Sequence, residues 1–245
     1  MLLSPPTVRP EEVDAALREQ GYAVLSREGL LALTGLEADA LAALQPAWDG
    51  LPPDAYLRDG GHYRFRRHAC FIIDTASATV APAPHRAHWQ PVEYNALHGG
   101  IERWFEPIEP ECLELPAWPG LLLGLGYRFS RLKPVARWFV EAHQFRIDTR
   151  EGIGRPTPEG AHRDGVDFVA VSLIARAGVK GGETRVFEAA GPRGVRFTLD
   201  QPWSTLLLDD ERVIHETTPI QPLADGGHRD TLVLTYRAGG FQGPR

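Results

Sequence analysis

The residues with the clearest chemistry in this 245-residue chain are His162, Asp164 and His215. Within Glu159-Gly-Ala-His162-Arg-Asp164-Gly165 an imidazole and a carboxylate stand two apart, a spacing that on extended backbone sends both side chains to one face. They can then share one ion. His215 follows 53 residues later, closing the run Leu206-Leu-Leu-Asp-Asp-Glu-Arg-Val-Ile-His215, after several strand-like segments able to fold back beside the first pair. Two imidazoles and a carboxylate form a facial set of metal ligands that leaves three positions open for a cosubstrate and oxygen. Arg229 comes 14 residues after His215 and Thr231 two beyond it, so a guanidinium and a hydroxyl can enter one pocket from a single strand. A planar guanidinium grips a carboxylate through paired hydrogen bonds, which is what a dicarboxylate requires at its far end. A zinc hydrolase could also use two His and one Asp, but it would leave the Arg229-x-Thr231 pair without a task.

Taken together, His162-Arg-Asp164, Gly181-Gly-Glu-Thr184, His215 and Arg229-Asp-Thr231 follow the motif order of the iron(II)- and 2-oxoglutarate-dependent dioxygenases. The longer runs Pro158-Glu-Gly-Ala-His-Arg-Asp-Gly-Val-Asp-Phe168, His143-Gln-Phe-Arg-Ile147 and Arg229-Asp-Thr-Leu-Val-Leu-Thr235 resemble the bacterial branch that contains the L-isoleucine hydroxylases and the BsmA-like proteins, over roughly residues 60–240. The resemblance implies a double-stranded β-helix, or jelly-roll, with Fe(II) held by His162, Asp164 and His215. It also implies 2-oxoglutarate bound with its distal end at Arg229 and Thr231, and release of succinate and carbon dioxide. The expected substrate is a free aliphatic L-amino acid hydroxylated on its side chain, with O2 as the other partner.

An amino acid needs a cationic or amide partner for its carboxylate, an acceptor for its ammonium and an apolar slot. Arg64, Asn95, Gln144, Arg146 and Asp167 supply the polar types, and Val166, Phe168, Tyr63 and Phe65 could supply the slot. Each polar candidate has a plainer reading as an exposed strand residue, a turn former, a backbone-pairing amide or a cap. Other functions remain open from the residues alone: a jelly-roll regulatory protein of stress or biofilm physiology with little turnover, or a hydroxylase of peptides, which an open groove would favour. Gly124-Leu-Gly126-Tyr-Arg-Phe129 half-matches a dinucleotide loop, but Phe129 stands where a third glycine belongs and no βαβ unit surrounds it.

The elements that must carry these residues are partly visible. Pro10, Glu11 and Glu12 before Val13, Ala16 and Leu17, with Gly21 as a stop, predict a short helix, and Tyr22–Leu25 a strand. Leu36, Ala40, Leu44 and Trp48 predict a second helix from Thr34 to about Trp48. His62–Asp74 alternates as a strand, the Ala/Pro-rich stretch to His88 reads as a loop, residues 113–145 are ambiguous, and a strand is expected at about Val140–Ile147. Beyond residue 160, short runs at Phe168–Ile174, Thr184–Phe187, Val195–Leu199, Ser204–Leu208 and Thr231–Tyr236 have the spacing of an antiparallel sandwich or barrel. The expected architecture is one mainly β domain over residues 1–245, with a helical layer at about 1–55 and the core at about 60–240.

Composition agrees with a folded globule: 43% of residues are hydrophobic and 24% charged. The formal charge of −6 argues against general affinity for nucleic acid. Two cysteines are too few for a disulfide framework, and neither a leader pattern nor a long apolar run suggests a membrane, so a cytoplasmic protein is expected.

Overall fold

The computed structural model describes residues 3–95 and 97–244. Pro10 opens a 3-10 turn (Pro10–Glu12) that runs into α1 (Val13–Gln20), and Gly21 ends it in the left-handed region at φ 78°. β1 (Tyr22–Leu25) follows. The helix expected from Thr34 to Trp48 is instead broken into pieces. Ser26 caps α2 (Arg27–Thr34), Gly35 stops it at φ 68°, and α3 (Ala38–Ala42) and a 3-10 turn (Gln45–Trp48) come after. A left-handed Gly35 and a ring at Pro46 outweigh the 3.6-residue pattern that runs through them.

β2 (Arg64–Asp74) turns back into β3 (Thr79–Pro82), a strand inside the stretch read as loop. After α4 (Pro110–Leu113), the ambiguous segment resolves as α5 (Ala117–Leu132), with Trp118, Leu121, Leu122, Leu125 and Phe129 forming its buried stripe. Then come β4 (Arg137–Asp148), β5 (Phe168–Ala177), β6 (Val179–Gly181), β7 (Thr184–Glu188), β8 (Gly194–Phe197), β9 (Thr205–Asp209), β10 (Val213–Thr217), β11 (Ile220–Pro222) and β12 (His228–Arg237).

The strands form a large antiparallel sheet in the order β1-β9-β5-β12-β4-β2-β3, beside two small sheets, β10-β7-β8 and β11-β6. The protein is mainly β, with a jelly-roll core. The helical layer extends beyond the N-terminal region where it was expected: α5 joins α1 and α2 against the large sheet, while β1 leaves the layer to pair with β9.

Pleat alternation gives the large sheet two different faces. Register pairs Arg64, Arg66 and His68 of β2 with Ile147, Phe145 and His143 of β4, and pairs the last three with Arg229, Thr231 and Val233 of β12. These residues share the face turned from the helices. Val140, Ala142, Leu232, Leu234 and Tyr236 occupy the other face and pack with Leu17, Leu30, Trp118, Leu125 and Phe129 in the main core. A second cluster, including Val169, Leu173, Val186, Phe197, Leu206 and Val213, joins the large sheet to the β10-β7-β8 sheet. No helix among the described residues is long and apolar enough to cross a membrane.

Trp48 ties the helical layer to the strands of interest. Its indole N–H is 3.1 Å from the carbonyl of Phe145 and 3.2 Å from that of Thr231, next to a register shift between Asp230 and Thr231. Replacing Trp48 with Phe keeps an aromatic ring but leaves those buried carbonyls without this donor. The expected cost is about 1–2 kcal/mol, seen as a melting temperature lower by about 2–8 °C in a thermal unfolding scan. An unchanged transition would contradict this role.

Candidate functional site

His162 and His215 form an isolated antiparallel bridge, each backbone N–H donating to the other's carbonyl at 3.0 and 2.9 Å. The pair is therefore built by backbone register: His215 lies in β10, while His162 stands in an extended segment outside any strand. Their rings are 4.7 Å apart between centroids. Asp164 completes the group, with its two carboxylate oxygens each 3.8 Å from one of the imidazole Nε2 atoms. His162 Nδ1 is 3.0 Å from the carbonyl of Gly160 and serves as the donor there, which leaves Nε2 with its lone pair toward Asp164 and His215.

Asp164 is positioned from two sides. The carboxylate of Asp210 accepts the backbone N–H groups of Asp164, Gly165 and Val166 at 3.0, 2.8 and 3.1 Å. Burial and the charge of Asp164 push the pKa of Asp210 up to about 7, so a cation at Asp164 would relieve part of that strain. From the other side Gln90 Nε2 donates to Asp164 Oδ1 at 3.1 Å. The amide orientation follows from its other end, where Gln90 Oε1 accepts from Arg103 at 2.8 Å and Asn95 at 3.1 Å, and a guanidinium can only donate.

One cavity contains all three ligand-type residues together with Arg229 and Thr231. Its apolar wall includes Phe145, Ile147, Val171 and Val233. Arg229 is 3% exposed, and its Nε and Nη2 have no acceptor among the described residues. Burial, then the nearby Arg176, lowers its pKa to about 10, which still leaves it a cation. A buried, unsatisfied fork of N–H donors fits a carboxylate. The Gly181-Gly182 pair explains how that fork comes so close to its neighbours. A Cβ on Gly181 would lie 2.2 Å from the carbonyl oxygen of Pro219, and one on Gly182 would lie 2.9 Å from Ile220 and 3.6 Å from the side chain of Arg229.

The other sequence candidates divide by strand face. Arg64 lines the cavity, with Nε 2.7 Å from Asp54 and Nη2 unpartnered. Asn95 also lines it, but both ends of its amide are engaged: Oδ1 accepts the backbone N–H of His98 at 2.8 Å, the turn-forming role, and Nδ2 donates to Gln90. Gln144 and Arg146 are one residue out of phase with His143 and Phe145. Gln144 therefore faces the helices, with Nε2 toward Cys112, and Arg146 pairs with Asp230 through two bonds of 2.8 and 2.7 Å. Asp167 is held by Lys133 and by the N–H of Ala238, away from the cavity. The expected apolar slot is corrected as well. Phe168 stacks on Phe129, Tyr63 packs with Ile147, Val179 and Ile220, and neither Phe65 nor Val166 reaches this cavity.

Sequence reasoning missed Gln90, Arg103 and Glu159. Glu159 had a signal, three residues before His162. Gln90 and Arg103 belong to a loop without periodicity, whose ends are joined by the His88–Arg103 bridge. Behind the wall lies a second group of ligand-type residues, His68, His88, Glu141 and His143, all buried. Glu141 Oε2 is 3.1 Å from His68 Nε2, 2.5 Å from His88 Nδ1 and 3.7 Å from His143 Nε2. Arg66 donates to His143 Nδ1 at 2.7 Å. That bond places the proton of a neutral His143 on Nε2, facing Glu141, where a metal would need a lone pair. Burial lowers the pKa of His88 to about 4 and that of His143 well below its usual value, so both rings are neutral. Burial alone would raise Glu141, but His88 and His68 outweigh it and keep the carboxylate ionised. The group is a hydrogen-bonded hub that fixes His88 and His143 in the cavity wall.

Comparison with known proteins agrees with this geometry. The family model described as 2OG-Fe dioxygenase matches residues 45–235. A BsmA homologue from Methylobium petroleophilum PM1 is 57% identical, with 99% of this chain and 98% of that chain covered and a TM-score of 0.94. IDO from Bacillus thuringiensis shares the fold at 20% identity, with 94% and 99% covered and a TM-score of 0.77. The Fe(II)/α-ketoglutarate-dependent dioxygenase TqaL does so at 18% identity, with 93% and 86% covered and a TM-score of 0.69. No curated protein matches.

The Asp210 contacts make a specific demand. Replacing Asp210 with Ala should loosen the Asp164 segment and weaken Fe(II) affinity by about 10–100-fold, measured by anaerobic metal titration. Unchanged affinity would show that the segment keeps its shape without that carboxylate.

Proposed function

The chain belongs to the 2OG-Fe dioxygenase family, and from that premise we propose that it hydroxylates the side chain of a free aliphatic L-amino acid, using His162, Asp164 and His215 to hold the iron. Fe(II), 2-oxoglutarate and O2 are the cofactor and cosubstrates of this family. The observation that carries the reading is the meeting, in one buried cavity, of a two-His, one-carboxylate group and an arginine with no acceptor of its own.

Iron with 2-oxoglutarate and O2 supplies the oxidising power to convert a C–H bond to C–OH, with succinate and carbon dioxide as co-products. The chain supplies position. His162 keeps a lone pair on Nε2 because Gly160 takes the proton at Nδ1, and Asp164 brings the anionic ligand, aimed by Gln90 and Asp210. Arg229 grips the distal carboxylate of 2-oxoglutarate, with the Thr231 hydroxyl on the same face of β12. Phe145, Val171 and Val233 keep that part of the cavity apolar, which strengthens the charge pairing.

A small substrate is favoured over a peptide because the segment between His88 and Arg103 contributes Asn95, His98 and Arg103 to the cavity lining, where they are only 4%, 1% and 2% exposed. The branch suggested by the sequence, with its amino-acid hydroxylases, agrees with that size. Selectivity among neighbouring aliphatic side chains should be modest, since one methylene changes transition-state binding by only about 1–3 kcal/mol.

The test is a panel of L-amino acids with Fe(II) and 2-oxoglutarate, read by succinate release and by mass for a gain of one oxygen. Oxidation of several aliphatic members is expected. A panel in which all are inert while a peptide is oxidised would overturn the substrate reading, and 2-oxoglutarate binding without any turnover would favour a regulatory protein.

Two substitutions separate the roles. Asp164→Ala should abolish iron-dependent succinate formation. Arg229→Lys keeps the charge but loses the fork, so half-saturation by 2-oxoglutarate should rise by about 10–100-fold with iron affinity little changed. If the 2-oxoglutarate requirement stays where it was, Arg229 does not hold it.

A further inference from the structure

Arg229 has a counterpart. Arg103 lines the same cavity, is 2% exposed and has an Nε without an acceptor. Among the described residues its only side-chain hydrogen bond goes to the neutral amide oxygen of Gln90. Among the described residues neither Arg103 nor Arg229 forms an ion pair with a carboxylate, whereas the buried Arg64 and Arg66 share Asp54. Burial lowers the pKa of Arg103 to about 10, with Arg64 contributing, and it remains a cation at neutral pH. A buried charge without a partner costs several kcal/mol unless something else compensates it, and 2-oxoglutarate has a distal carboxylate for only one of the two arginines.

Of the further polar atoms on cavity-lining side chains that lack partners among the described residues, Arg66 Nε and His98 Nδ1 among them, two suit a charged ligand. One is Arg64 Nη2, whose neighbour Nε is occupied by Asp54, and the other is Glu159 Oε2, an acceptor on a side chain only 11% exposed. Donors at Arg103 and Arg64 and an acceptor at Glu159 match a zwitterion, with one end negative and the other positive.

Resting on the proposed reaction at this cavity, we infer that Arg103, aided by the free Nη2 of Arg64, binds the carboxylate of the primary substrate, and that Glu159 accepts its ammonium group. The substrate class is then one with a free carboxylate, and esters and amides of the same molecules are excluded. The contact also reaches the metal group through a single side chain. The carboxamide of Gln90 accepts from Arg103 at one end and donates to Asp164 at the other, so the substrate's charged end is held in fixed register with a metal ligand.

The experiment uses the Fe(II)-loaded enzyme with 2-oxoglutarate and O2 and compares succinate release with matched pools: free L-amino acids and their C-terminal amides, then dipeptides and their C-terminal amides. Stimulation by the free amino acids and not by their amides is expected. If the amino acids are inert but dipeptides stimulate and dipeptide amides do not, the free-amino-acid reading fails and the carboxylate site stands. An amide pool as effective as its acid pool, or no stimulation by any acid, overturns the inference. Arg103→Gln supplies a second measurement. With the most active acid, the concentration for half-maximal stimulation should rise by about 30-fold or more, while 2-oxoglutarate half-saturation stays where it was and a thermal unfolding scan reports an intact fold. Arg103→Lys should recover part of the loss. A shift in the 2-oxoglutarate requirement instead would assign Arg103 to the cosubstrate and sink the proposal.

Discussion

The pleat of β4, hydrogen-bonded between β2 and β12, decides what can reach the cavity. Because side chains alternate and the three strands are in continuous register, a single phase puts Arg64, Arg66, His143, Phe145, Arg229 and Thr231 on one side and Val140, Ala142, Leu232 and Leu234 on the other. The two sides have opposite requirements. The helical layer needs apolar residues there to bury Trp118, Leu125 and Phe129, while the cavity needs charges. A slip of one residue would send arginines into the helical core, so the apolar packing that stabilises the fold also holds the site in phase.

Placing so many charged groups in a protein interior is costly unless each finds a partner. Asp54 answers Arg64 and Arg66, the imidazoles of His68, His88 and His143 gather around Glu141, and Asp230 answers Arg146 on the opposite face. These partnerships are internal to the protein and offset most of the cost of burying the wall's charges. Against that background Arg103 and Arg229 stand out, because among the described residues neither guanidinium has a carboxylate partner, whereas Arg64 and Arg66 share Asp54.

The metal group is assembled differently from the wall. His162 and His215 are joined by a two-residue bridge between an irregular segment and a short strand, and Asp164 depends on the side chains of Asp210 and Gln90. Its geometry is thus set by second contacts more than by regular secondary structure, which explains why a loop residue such as Gln90 matters to a centre built around the jelly-roll mouth.

Some of this was legible in the sequence alone. Motif spacing identified His162, Asp164, His215, Arg229 and Thr231 as residues that would meet, and period-two alternation located β2, β4, β5 and β12, because ligand chemistry and strand pleating both leave marks at short range. The N-terminal helix was readable from Pro10 and Gly21 for the same reason. Which face a strand residue takes was not readable: Gln144 and Arg146 look as suitable as His143 and Phe145 until the helices claim one side of β4. Nor could the sequence assign Asp167 to Lys133, break the helix pattern at Gly35, or bring Arg103 and Gln90 from an aperiodic loop to within reach of Asp164. Those outcomes depend on contacts between residues far apart in the chain, and only tertiary packing determines them.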